Sequence, residues 1–180
     1  MMLGLLVFFS WTAYALEQDS EWAEMPIVKD ELRLNGVKIG IDPGHQAKGN
    51  SEQETISPTS KETKAKVSSG TSGVKSGVNL DVSLRLRDAL EALGCEVYMT
   101  RETHDVDISN QERAIMMNEK EVDLVLRIHC NGSTNRSAEG IGLYVNKTGD
   151  IAEASESAAQ AILPAMVAAT GAESDGIFKR

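Results

Sequence analysis

The sequence predicts an α/β fold, a single domain with a mostly parallel central sheet flanked by helices. Short β-branched apolar runs alternate with longer stretches of helical periodicity, in the order strand, helix, strand, helix, strand, strand, helix. Two of the apolar runs end in a histidine, at Asp42-Pro43-Gly44-His45 and at Arg127-Ile128-His129-Cys130. The size and composition (180 residues, 41% hydrophobic, 25% charged) suit one soluble globular domain with a substantial core.

The elements follow in chain order. Met1 to Ala15 is uncharged and closes on Ala13-Tyr14-Ala15, the small-x-small pattern of a signal-peptidase site, so residues 1–15 read as an export leader. The apolar stretch is short for a membrane span, and a buried N-terminal helix is the alternative. Residues 16–35 are acidic and irregular, a linker, and residues 36–180 form the domain. Val37 to Ile41 is the first strand. Gln46 to Gly77 is polar, nearly free of large apolar side chains, and reads as one long loop. Val78 to Leu93 is a helix, with Leu80, Leu84, Leu86, Leu90 and Leu93 on its apolar side and Asp81, Arg85, Asp88 and Glu91 opposite. Gly94 supplies the stop. Glu96 to Thr100 alternates as a strand, and Ser109 caps a helix running to Glu119. Val122 to Ile128 and Ile141 to Val145 are strands. Ala152 to Ala169 is a helix ending before Gly171.

Several function classes are disfavoured. A net charge of −9 argues against nucleic acid, whose phosphates need a basic face. No apolar span follows the leader, so no stable membrane insertion is expected once the leader is removed. Cys95 and Cys130 read as free buried thiols rather than a disulfide or zinc ligands.

The histidines carry the chemistry. Sites in open α/β sheets collect at the carboxyl ends of strands, where both His45 and His129 fall. A zinc ion that activates water needs three protein ligands and one open position, and these imidazoles supply two. Asp42 and Asn131 are the candidate partners that orient them. The plainer reading, two histidines that merely end strands and satisfy core hydrogen bonds, stays open on spacing alone. His104, in Glu102-Thr103-His104-Asp105, has no partner pattern and reads as an exposed loop residue.

A run of motifs decides between these. Ile39-Gly40-Ile41-Asp42-Pro43-Gly44-His45 resembles the opening of zinc-dependent N-acetylmuramoyl-L-alanine amidases. The resemblance continues through Leu84 to Leu90, Val97-Tyr98-Met99-Thr100-Arg101, Ile108 to Ala114, and Arg127-Ile128-His129-Cys130-Asn131-Gly132. It implies a secreted or wall-associated peptidoglycan hydrolase that cleaves the amide between N-acetylmuramic acid and L-alanine of the stem peptide. It also implies a Zn2+ cofactor bound by His45 and His129, and peptidoglycan (muramyl peptide) as the partner.

The family pattern also asks for residues that do not appear. Its third zinc ligand is a glutamate just before the first long helix, where this chain reads Gly73-Val74-Lys75-Ser76-Gly77-Val78. Lys75 stands near the expected place, and Glu52, Glu54, Glu62 and Asp81 are the nearest acids. The family's catalytic glutamate is expected on a late strand beyond the match that ends at Ile177-Phe178-Lys179-Arg180, together with a last strand and helix. The catalytic residue is therefore unassigned. A non-catalytic wall-binding or regulatory homologue is the alternative function.

Overall fold

The computed structural model describes residues 3–10, 34–57, 59–68, 73–130 and 139–180, with the backbone alone described over 3–10 and 73–76. Its main sheet has six strands in the order β5-β2-β6-β1-β7-β8. These are β1 (Leu3–Ser10), β2 (Lys38–Pro43), β5 (Glu96–Met99), β6 (Leu124–Cys130), β7 (Gly140–Val145) and β8 (Ser174–Lys179). A separate two-stranded sheet joins β3 (Asn50–Thr55) to β4 (Thr63–Val67). The helices are α1 (Gly73–Ala92), α2 (Asn110–Glu119) and α3 (Ala152–Thr170).

Pairing in the main sheet is parallel except where β1 runs antiparallel to β7. The mostly parallel sheet expected from the sequence is therefore present. Parallel strands covered on both faces read as continuous apolar runs, and β2 is buried from Ile39 through Pro43. One face packs on α1 and α3: Ile39, Ile41, Ile128, Ile141, Leu143 and Val145 meet Leu86 and Leu90 of α1 and Leu163 of α3. Burying each such side chain contributes roughly 1.5–3 kcal/mol. The other face packs on α2 through Met117, with Val122 and Val125 and, beside them, Tyr98. Gly40 permits that approach, since a Cβ there would stand 2.5 Å from the Met117 sulfur.

Local signals set the helix ends. Ser109 accepts from the Glu112 amide, and the Glu112 carboxylate accepts from the Ser109 amide, closing a capping box at the start of α2. Gly171 ends α3 in the left-handed conformation (φ 67°), and its N–H bonds the Val167 carbonyl.

The structure corrects three sequence expectations. The polar stretch 46–77 is not one long loop. It folds into the β3–β4 hairpin, whose buried Val67 and Glu54 are the inward points of otherwise exposed strands. Helix α1 begins at Gly73, five residues before Val78, so part of the expected loop is helical. Two strands besides those of the hairpin were not expected. Leu3–Ser10, the apolar part of the leader-like run, is β1, a strand rather than the alternative buried helix, lying between β6 and β7. Ser174–Lys179 is β8, at the sheet edge. Residues 11–33, which hold Ala13-Tyr14-Ala15 and nearly all of the linker, lie outside the described residues.

Cys95 is buried and Cys130 half-buried, and they do not form a disulfide. Among the described residues no helix is long and apolar enough to cross a membrane.

Candidate metal centre

β2 and β6 are hydrogen-bonded neighbours, parallel and in register up to Pro43 opposite Ile128. His45 and His129 therefore leave the same edge of the sheet side by side. Their rings lie 4.8 Å apart between centroids at 75°, an edge-to-face arrangement. Gly44 makes this approach possible: a Cβ there would fall 2.4 Å from Nε2 of His129. Any larger residue would push the His129 ring off the turn.

The turn is held under strain. His45 has φ 61°, in the left-handed region that non-glycine residues rarely adopt, and such conformations persist where surrounding contacts over-determine them. The contacts are visible. Arg101 donates to the Pro43 carbonyl (2.9 Å) and the Gly44 carbonyl (3.1 Å). Asn79, from α1, donates to the same Gly44 carbonyl at 3.1 Å. Arg113 donates to the carbonyls of Pro43 (3.1 Å) and His45 (3.3 Å). Each carbonyl from Pro43 to His45 is thus clasped by a buried side chain.

Asp42 neutralises this concentration of cations. Its carboxylate pairs with Arg113 at 2.7 Å and with Arg127 at 2.8 Å, and accepts from the Thr100 hydroxyl at 2.6 Å. Burial alone would raise the Asp42 pKa. Arg127, Arg113 and the Thr100 hydrogen bond outweigh it and hold the carboxyl below its ordinary value. Asp42 touches arginines rather than imidazoles, so it shapes the turn and does not orient a ring as expected from sequence. Asn131, the other expected partner, lies outside the described residues.

The two imidazoles are prepared differently. Burial, with Arg127 and His45 nearby, pushes His129 down to about 3, leaving it neutral and able to offer a lone pair. His45 sets Nδ1 3.0 Å from the Ser68 carbonyl and 3.2 Å from its hydroxyl. A carbonyl only accepts, so Nδ1 carries a proton and Nε2 is the nitrogen left to face a ligand.

An imidazole pair at the carboxyl edge of a parallel sheet suits a borderline-soft cation such as zinc, as two of the three protein donors that catalysis needs. Among the described residues no group of three or more His, Cys, Asp or Glu stands together to complete it. The described donor set is one ligand short.

Beyond this geometry, residues 39–180 match the family model of the N-acetylmuramoyl-L-alanine amidases, Amidase_3. The chain belongs to this family. The amidase domain is 32% identical over 110 residues to N-acetylmuramoyl-L-alanine amidase AmiC of Neisseria meningitidis serogroup B, a match covering 61% of this chain and 23% of that protein. Its fold is similar to the crystal structure of the amidase Ami1 from Mycobacterium smegmatis, with TM-score 0.66, 22% identity, and 82% and 74% of the two chains covered. It is also similar to the apo form of Ami1 from Mycobacterium abscessus, with TM-score 0.65, 21% identity, and 82% and 76% covered.

Within this amidase domain the acids nearest the expected ligand are engaged or distant. Glu52 is exposed and pairs with Lys66 at 2.6 Å. Glu54 is buried against the start of α2, accepting from the Gln111 amide at 3.3 Å. Glu62 and Asp81 are exposed, and the side chain of Lys75 is not described. His104 is exposed, as expected. Sequence reasoning missed Ser68, Asn79, Arg101 and Arg113. Arg113 had a usable signal: it directly follows the capping-box Glu112, on the turn of α2 aimed at the strand ends.

Proposed function

We propose that the chain is a peptidoglycan hydrolase. It cleaves the amide bond between N-acetylmuramic acid and L-alanine of the stem peptide. The carrying observation is the convergence of two imidazoles, His45 and His129, at the carboxyl edge of the sheet in a domain of the amidase family. In this reading His45 and His129 hold Zn2+ with a third donor from elsewhere, and zinc when bound supplies carbonyl polarisation and an acidified water. The residues of this chain contribute the placement: arginines fix the turn, Ser68 fixes one ring, and half-burial shields the other in part from water. The proton shuttle is assigned to no residue.

A second reading, a non-catalytic wall-binding or regulatory homologue, is favoured by one observation. The described residues supply no third acidic ligand, and Lys75 occupies the segment where the family resemblance places it.

Zinc stoichiometry of the purified chain, with release of stem peptide from purified walls, separates the two. Bound zinc that is lost in His45→Ala and in His129→Ala, but kept in His104→Ala, supports the metal centre. Zinc-free protein that releases no peptide sinks the hydrolase reading for this chain, and equal loss in all three variants sinks the ligand assignment.

Export to the wall is part of the proposal, with residues 1–15 as leader, 16–35 as linker and 36–180 as the amidase domain. Removal of the leader would take β1 with it and part β6 from β7. The N-terminal sequence of the exported chain distinguishes a cleaved leader from a retained strand.

A further inference from the structure

The β3–β4 hairpin has no part in the core of the main sheet, yet the residue that follows it, Ser68, holds the His45 ring. A hairpin this exposed fixes nothing unless it is itself tied down. Its strongest tie to the domain is Asn110, the first residue of α2. The Asn110 amide donates through Nδ2 to the Lys66 carbonyl at 2.6 Å, two residues before Ser68. Through Oδ1 the same amide accepts from Arg127, which pairs with Asp42 at 2.8 Å. Asp42 begins the turn that ends at His45. Asn110 thus closes a loop of contacts, reaching the backbone of His45 by way of Asp42 and its ring by way of Ser68.

We infer that Asn110 is a positioning residue, locking the hairpin so that Ser68 holds His45 in the Nδ1–H form with Nε2 directed outward. The chemistry of the side chain explains the choice. A carboxamide offers a donor and an acceptor at once, which both contacts require. A carboxylate offers acceptors alone, so it keeps Arg127 and repels the Lys66 carbonyl. The hairpin's other ties among the described residues are longer: Asn50 donates to the Asp107 carboxylate at 3.2 Å, and the Gln111 amide donates to Glu54 at 3.3 Å, leaving the Glu54 Oε1 atom without a partner.

Asn110→Asp therefore separates the two contacts while keeping an N-terminal helix residue favourable to the helix dipole. In the metal-free chain, nitrogen-15 spectra of the histidine rings should show a single Nδ1–H tautomer for His45. Asn110→Asp should give a mixture of tautomers with the melting temperature little changed. Ser68→Ala keeps the carbonyl and should leave the single tautomer. Titration with zinc alone should show about a tenfold loss of affinity in Asn110→Asp, the lower end of what lost outer partners cost a metal site.

An unchanged His45 tautomer in Asn110→Asp overturns the inference, as does a Ser68→Ala effect as large as that of Asn110→Asp. Should Asn110→Asp fail to fold, Asn110→Ala is judged by the same spectra. Only the zinc titration rests on reading His45 as a metal ligand. If His45→Ala binds zinc as the parent chain does, that reading falls while the tautomer measurement still decides the role of Asn110.

Discussion

The two halves of the sheet solve different problems. The β5-β2-β6 half lies between α1 on one face and α2 on the other, and at its carboxyl edge it buries Asp42, Arg101, Arg113 and Thr100. The β7-β8 half packs α3 against Ile141, Leu143 and Val145 and, among the described residues, buries no charge there. On its other face Tyr144 stacks on Phe178 at 4.9 Å, Arg180 lies over Tyr144, and Phe178 remains 40% exposed. Buried ion pairs are weak sources of stability, because desolvation opposes the attraction. Their concentration under one turn is explained by geometry: they hold a strained histidine in place. One half sets positions, and the other supplies apolar adhesion.

Arg113→Ala tests the contrast hardest. It leaves Asp42 buried with one cation fewer, removes the Arg113 bond from the His45 carbonyl and leaves the Pro43 carbonyl to Arg101 alone, and loss of one partner from a buried pair costs about 3–5 kcal/mol. Chemical denaturation should register that loss, and Arg113→Lys should not restore it, because an ammonium lacks the planar fork that spans these acceptors. Leu143→Ala, in the other half, should cost about 2–4 kcal/mol as a core cavity, with the His45 and His129 resonances unmoved. A larger stability loss from Leu143→Ala together with displaced histidine signals would break the division.

Acidification acts on the positioning half. His129 titrates near 6.5 when unfolded and at about 3 when folded, so between these values the unfolded chain binds the extra proton. Its stabilising contribution is complete above about pH 6.5 and is lost as pH falls toward 3. Solvent at the half-buried ring moderates the effect. Denaturation midpoints measured across that window should fall with pH, and His129→Gln should flatten the slope. At the small end, Glu52→Ala removes an exposed pair with Lys66 and should change stability by about 0–1 kcal/mol.

The sheet and its site edge were legible because the relevant residues are local in sequence. β-branched runs ending in Asp-Pro-Gly-His and in Arg-Ile-His placed both imidazoles, and Ser109 and Gly171 marked helix ends with their own side chain or conformation. The hairpin was not legible, because Asn-Ser-Glu-Gln-Glu-Thr is wholly polar, with Thr55 its one β-branched residue; contacts with the start of α2 tie it to the domain. The arginines were hidden for a related reason. Arg101 and Arg113 look like surface residues of a loop and a helix until the fold brings Asp42 to them across 59 and 71 positions. β1 was hidden by its composition, since an uncharged apolar run serves equally as an export signal or as a strand.

The place of β1 also bears on how the chain is made. Leu3 pairs with Leu124 and Ser10 with Gly140, so β1 leaves the ribosome well before its partners, which are made more than a hundred residues later. Contacts so distant along the chain close slowly, and an unpaired apolar strand is a target for aggregation in the interval. β1 is thus made long before it is satisfied, and the yield of folded protein depends on how well that strand is shielded during synthesis.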